Sequence, residues 1–130
     1  MCGIVGALRF SSSAFQVTTP YIDAMRDCMT HRGPDGAATW VSPGHDVGLG
    51  HRRLAIVDLT EEANQPMPNE DESLWVAFNG EIYNHAALRA ELEQTGRHRW
   101  RTHHSDTEVI LHAYEEWGLE CVHRFRGMFA

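Results

Sequence analysis

The 130-residue sequence predicts an α+β fold. Three observations lead there. Apolar runs of strand length occur at 3–10, 53–58 and 74–79. Segments with helical periodicity and recognisable ends cover 20–30, the stretch from Asn84 to Gly96, and the stretch from Ser105 to Trp117. The two kinds of segment do not alternate regularly, as they would in a doubly wound parallel sheet.

The elements follow in chain order. GIVGALRF (3–10) reads as a strand and SSSAFQVTT as a loop. Thr19-Pro20 marks a helix start, with Thr19 as N-cap and Pro20 at the first helical position. Ile22, Met25, Cys28 and Met29 then recur at helical spacing, which predicts a helix over 20–30 with Cys28 on its apolar face. RGPDG (32–36) is a turn by composition. Segments 37–42 and 46–50 form a hairpin around SPGH, and RLAIVD (53–58) is a further strand. A polar loop through Gln65-Pro66-Met67-Pro68 leads to LWVAFN (74–79), a strand running into Gly80. Asn84 caps the helix HAALRAELEQT, which stops at Gly96. Ser105-Asp106-Thr107-Glu108 has the form of a capping box for a helix that ends at Gly118, followed by a short helix at 119–125.

Composition narrows the class of protein. With 42% hydrophobic and 22% charged residues the chain is an ordinary globular domain, and its length allows one domain over 1–130. The formal charge of −7 argues against a nucleic-acid or anionic-membrane surface, which would need a basic excess. No apolar run approaches a membrane span, and the N-terminus lacks the form of a secretory signal. The three cysteines, Cys2, Cys28 and Cys121, are odd in number and far apart, so a reducing cytoplasm is the expected setting and neither a disulfide framework nor paired metal ligands are expected. Cys121, beside Val122 and Phe125, reads as core. The chain stops at GMFA as an apolar run begins, which suggests a fragment of something longer.

Several short stretches carry chemistry, and each also has a purely structural reading. In FNGEIYN (78–84) an apolar strand ends in Asn79-Gly80. Asn-Gly is a strong hairpin signal, but a helix and not a matching strand follows. The dipeptide can instead set an amide and a glycine N–H at a strand end, two convergent donors for an oxyanion. In HRRLAIVD (51–58) the arginines are either a solvated strand end or a guanidinium for a carboxylate. Side chains alternate on a strand, so Arg52 and Arg53 face opposite ways and at most one reaches a given pocket. Asp106, in the first turn of its helix, either complements the helix dipole or meets a bound ammonium group. His31 and the pair His103-His104 match no common zinc spacing.

MCGIVG raises the remaining question. If Met1 is removed, Cys2 carries an α-amine of pKa about 7.7–8.0 beside a thiol of about 8.5. The amine can then accept the thiol's proton near neutral pH, a known way to activate a nucleophile. Taken alone, Cys2 would be an ordinary residue in most proteins.

Taken together, MCGIVG, HRGPDG, GHRRLAIVD, NGEIYN and SDTEVIL, in this order, resemble the glutaminase domain of class II glutamine amidotransferases. HRGPDG and NGEIYNHAALRAEL are most similar to the version found in glutamine-hydrolysing asparagine synthetases. The resemblance runs from Cys2 to the last residue. It implies an N-terminal-nucleophile hydrolase fold, an αββα sandwich of antiparallel sheets, incomplete here at its C-terminal end. It implies that Cys2 is the nucleophile with its own α-amine as base, and that the Asn79 side-chain amide and the Gly80 N–H form the oxyanion hole. Arg53, directly before Leu54, resembles the arginine that holds the glutamine α-carboxylate, and Arg52 has no such counterpart. Glu81 and Asp106 resemble the residues around the α-ammonium, and backbone at Leu54, Ile56 and Val57 lines the same pocket.

The implied reaction is hydrolysis of glutamine to glutamate and ammonia through a glutamyl thioester. No metal or cofactor is expected for this half-reaction. In the full family the ammonia passes to a synthetase domain that activates aspartate with ATP and Mg²⁺, and that domain's serine-glycine-glycine phosphate-binding signature is not in these 130 residues. Glutamine and that synthetase domain are the implied partners, and a homodimer is compatible with the resemblance. Two other readings stand beside it: an amidotransferase of the same fold with another acceptor, and an inactive glutamine-binding fragment, the latter if Met1 stays on and the Cys2 nitrogen is an amide.

Overall fold

The computed structural model describes residues 2–10, 14–56 and 61–130. It confirms the α+β class. The chain divides into two compact units. Among the described residues, no helix is long and apolar enough to cross a membrane.

The first unit comprises Met1–Ala55, Asn64–Pro66 and Ala77–Asn79. Its sheet contains β1 (Gly3–Leu8), β2 (Gly36–Val41) and β3 (Val47–Arg53), antiparallel in the order β1-β3-β2. The hairpin expected around SPGH is β2–β3, closed by Ser42 N–H to Val47 O at 2.8 Å. Helix α1 (Thr19–Asp27) lies on this sheet. The glycines of VGLGHRR allow that approach: a Cβ at Gly48 would press into Val17 and Ile22, and one at Gly50 into Val5 and Ile22. Ile22 is fully buried there, a burial that contributes about 1.5–3 kcal/mol.

Helix α1 is shorter than the predicted 20–30. Its N-cap is Thr18, which makes no side-chain cap bond, and Pro20 is the second helical residue. After Asp27 the backbone tightens to three-residue spacing, with Met29 N–H on Arg26 O at 3.0 Å and Thr30 Oγ1 on Asp27 O at 2.7 Å. The apolar stripe accordingly narrows to Ile22, and Cys28 is exposed, contrary to the expected core position.

The predicted strand 53–58 is also corrected. β3 ends at Arg53, and Leu54–Ile56 lie in no strand, while Val57 and Asp58 are outside the described residues. The physical reason is competition for backbone donors. The N–H of Leu54 goes to Cys2 Sγ and that of Ala55 to the Asp35 carboxylate, so neither is offered to a neighbouring strand.

The second unit comprises Ile56–Ala63, Met67–Val76 and Gly80–Ala130. It holds two antiparallel pairs, β4 (Met67–Pro68) with β5 (Trp75–Val76), and β6 (Gly80–Ile82) with β7 (Gly127–Phe129). The predicted strand 74–79 is thus reduced to Trp75–Val76, because the polar groups of Phe78 are taken by side chains. Helix α2 (His85–Gln94) sets Leu88 and Leu92 on one face and packs against α3 (Asp106–Trp117), which buries Val109, Leu111 and Ala113. A 3₁₀ segment, Gly118–Arg124, follows and buries Cys121, whose thiol pKa is pushed up by that burial.

Both expected caps are rearranged. The Asn84 side chain makes no cap bond, because it instead bridges Arg124 O at 3.0 Å and Arg126 N–H at 2.8 Å. Ser105 makes none either, while Glu108 reaches further back than a capping box requires, to the N–H groups of Arg101 (2.6 Å) and Thr102 (2.8 Å). Burial works to raise the Glu108 carboxyl pKa, but its hydrogen bonds outweigh burial and hold it at about 2.

Candidate active site

Strand β3 and the residues just past it organise the candidate catalytic groups of the first unit. The β1–β3 register sets Gly3 opposite Arg52, so the chain preceding β1 runs alongside the end of β3. Cys2 is half-buried there, its sulfur accepting the Leu54 N–H at 3.4 Å and lying 3.7 Å from Leu54 O.

HRGPDG frames this strand end from the outside. Arg32 Nε donates to Cys2 O at 3.3 Å. Asp35 accepts the Ala55 N–H at 3.0 Å, and its own N–H donates to Arg53 O at 3.0 Å. Gly33 is buried against the Arg52 backbone, where any Cβ would overlap the carbonyl. The motif therefore fixes the backbone that fixes the thiol. His31 is exposed.

The two arginines part as alternation predicts. Arg52 Nε donates to Gly33 O at 3.0 Å, with a longer contact of 3.5 Å to Asp27. Arg53 donates from Nη1 to the Asn64 side-chain oxygen at 2.8 Å. Arg52 thus ties the frame together.

Asn79 is half-buried and follows Phe78, whose backbone is gripped on both sides. Gln65 Oε1 accepts the Phe78 N–H at 2.6 Å, and His51 Nε2 donates to Phe78 O at 3.1 Å. The acceptor there is a carbonyl, so the proton of neutral His51 sits on Nε2. Burial pushes the His51 pKa down, with Arg53 adding to the effect and the Phe78 bond opposing it. One strand end therefore anchors two candidate groups: His51 holds the approach to Asn79, and Leu54 holds Cys2. His51 and Gln65 were not singled out from sequence, although both lie in segments already read, GHRRLAIVD and the QPMP loop.

In the second unit, Gly80 opens β6 opposite Phe129 at φ 158°, where any Cβ would overlap the Met128 carbonyl oxygen. The dipeptide is thus no hairpin turn. Glu81 is exposed, and the Ile82 N–H donates to Asp106 Oδ2 at 3.0 Å. Asp106 is buried, at 6% exposure, at the head of α3. Ile56 is 70% exposed, and Val57 lies outside the described residues.

Comparison with known proteins identifies the family. A family model for the glutamine amidotransferase domain matches residues 1–130. A probable glutamine-hydrolysing asparagine synthetase of Dictyostelium discoideum is 44% identical over 130 residues, all of this chain and 22% of its own length. The glutamine-hydrolysing asparagine synthetase 3 of Bacillus subtilis is 42% identical over 132 residues, all of this chain and 20% of its own. Asparagine synthetase 3 of Arabidopsis thaliana is 45% identical over 130 residues, again all of this chain and 21% of its own. The chain spans about a fifth of the length of these relatives. A family match over the whole length shows that this chain belongs to the glutamine amidotransferase domain family.

Proposed function

We propose that this chain hydrolyses L-glutamine to glutamate and ammonia, with Cys2 as nucleophile, within an N-terminal-nucleophile αββα sandwich. The observation that carries the reading is the half-buried Cys2 sulfur accepting a backbone N–H, in a chain matched end to end by a glutamine amidotransferase family.

Removal of Met1 leaves the Cys2 α-amine free to take the thiol proton. The thiolate attacks the carboxamide carbon, and the resulting oxyanion is held by the Asn79 amide and the Gly80 N–H. The C–N bond then breaks, ammonia leaves with the proton returned by the amine, and water hydrolyses the thioester to glutamate. Nucleophile, base and donors all come from the chain, so this step needs no metal or cofactor.

Substrate choice has a physical basis. The planar Arg53 guanidinium suits a charged α-carboxylate, which it can hold by two parallel hydrogen bonds. Glu81 and Asp106 supply the opposite charge for the α-ammonium. Leu54 and Ile56 contribute backbone to the same pocket. In the full-length, cytoplasmic protein the ammonia serves a synthetase domain that makes asparagine from aspartate with ATP and Mg²⁺.

A glutamate-release assay tests the reading, run on the parent and on Cys2→Ala with the N-terminal mass of each determined. Release by parent lacking Met1 and none by Cys2→Ala is expected. Equal rates reject Cys2 as nucleophile, and a parent that lacks Met1 yet releases nothing rejects hydrolysis.

A further inference from the structure

We propose that Glu70, His98, His112 and Glu115 form a structural site for a zinc-class divalent cation. This reading is independent of the glutamine chemistry and draws only on residues of the second unit.

Each residue offers one ligand atom, and these four atoms lie within 4.8 Å of one another. His112 Nδ1 is 2.9 Å and His98 Nδ1 is 3.2 Å from Glu115 Oε2, and His112 Nδ1 is 3.9 Å from Glu70 Oε2. Tetrahedral bonds of about 2.0–2.2 Å set neighbouring ligands roughly 3.3–3.6 Å apart. These three separations bracket that range, and side-chain rotation must draw in the widest pair of the cluster, which reaches up to 4.8 Å.

The outer atoms of all four residues are already directed. Glu70 Oε1 accepts the Arg99 N–H at 2.7 Å, which leaves Oε2 for the cluster. Glu115 Oε1 accepts the Asn69 amide at 2.7 Å, which likewise leaves Oε2. His112 Nε2 lies 3.8 Å from Glu108, and His98 Nε2 lies 3.8 Å from Glu116. A carboxylate behind each ligating imidazole is the usual outer shell of a zinc site.

The buried ring nitrogens supply the independent observation. The side chains of His98 and His112 are only 6% and 2% exposed. Their Nε2 atoms have no hydrogen-bond partner among the described residues. A ring that carries a proton only on the Nδ1 turned to Glu115 presents a bare Nε2 lone pair toward a carboxylate, which is repulsive. A cation on Nδ1 moves the ring proton to Nε2, and both contacts become attractive. The ion's two positive charges also balance the two ligating carboxylates. Two imidazoles with two carboxylates favour zinc over magnesium or calcium, which take oxygen ligands. Trp100 packs edge-on against His112 at 4.4 Å and walls one side. A cleft of about 400 Å³, bordered by Glu70, Arg97 and Glu116, gives entry on another.

The test is calorimetric titration of Zn²⁺, and separately Mg²⁺, into chelator-treated full chain, together with the absorption spectrum of the Co²⁺ form. Saturable binding of one Zn²⁺ per chain, no comparable Mg²⁺ binding, a melting temperature that rises with Zn²⁺ and a Co²⁺ spectrum without thiolate charge transfer are expected. His98→Gln and Glu115→Gln should each weaken Zn²⁺ by more than the roughly 10–100-fold typical of losing an outer partner. His103→Gln/His104→Gln should leave it unchanged. Absence of saturable binding by the parent, a thiolate band in its Co²⁺ spectrum, or undiminished affinity in both ligand variants overturns the site. The parent measurements decide the matter even if a ligand variant fails to fold.

Discussion

His51 donates from Nε2 to the carbonyl of Phe78 at 3.1 Å, one residue before Asn79. This bond sets the backbone that carries the proposed oxyanion donor, and His51 is therefore a positioning residue. His51→Ala should lower kcat for glutamine by about 10–100-fold, with KM changed far less, since misplacement by about 1 Å costs up to about a hundredfold. His51→Gln, which keeps an N–H donor, should recover part of the loss. Steady-state kinetics on the three proteins checks this, and a rise in KM with kcat unchanged would count against it.

The same residue makes stability depend on pH. Its ordinary pKa is 6.5, and in the folded chain it is lower, chiefly because the ring is buried. The unfolded chain therefore binds the proton first on acidification. The stabilisation is fully present above about pH 6.5 and is lost as pH falls toward the folded value. Urea midpoints measured from pH 8 to pH 5.5 should decline in the parent and decline less in His51→Gln.

Arg52 and Arg53 should separate cleanly. Arg53→Ala should raise KM for glutamine on the order of 10–100-fold, the range for losing a charged hydrogen bond. Arg52→Ala should leave KM close to the parent value. It removes the bond to Gly33 O, and should cost about 1.5–3 kcal/mol in urea unfolding. Equal effects of the two variants on KM would show that the strand register has been misassigned.

Gly80→Ala tests the close approach at the head of β6. The added methyl overlaps the Met128 carbonyl oxygen, a rigid backbone atom. The variant should lose the β6–β7 pairing, read as faster amide exchange at Tyr83, whose N–H donates to Arg126 O at 2.7 Å beside that pair, and glutaminase activity with it.

The C-terminal end of α3 and the hairpin were legible because local chemistry decides them. Gly118 closes α3, and Ser42–Asp46 turn the β2–β3 hairpin. Alternation likewise foretold the opposite destinations of Arg52 and Arg53. What could not be read were places where side chains capture backbone groups from a distance. Leu54 and Ala55 look like strand, yet their N–H groups go to Cys2 and Asp35. Phe78 also looks like strand, yet Gln65 and His51 take its two polar groups. Asn84 has the composition of a cap but is spent on Arg124 and Arg126. Cys28 has helical spacing but lies beyond the point where α1 tightens. At the site, the chemical groups themselves were legible, whereas the residues that hold them were not, because periodicity says nothing about long-range tethers.

The pairing of Gly80 with Phe129 has a temporal consequence. A nascent chain emerges from the ribosome in order, so Asn79 and Gly80 are out long before their glycine finds the strand that shapes it. Until then the proposed nucleophile and the strand beside it can be complete while the proposed donor corner is unformed. A polypeptide arrested anywhere between the two strands would expose a thiol without the means to stabilise the charge it creates, and so would emerge silent rather than wasteful of glutamine.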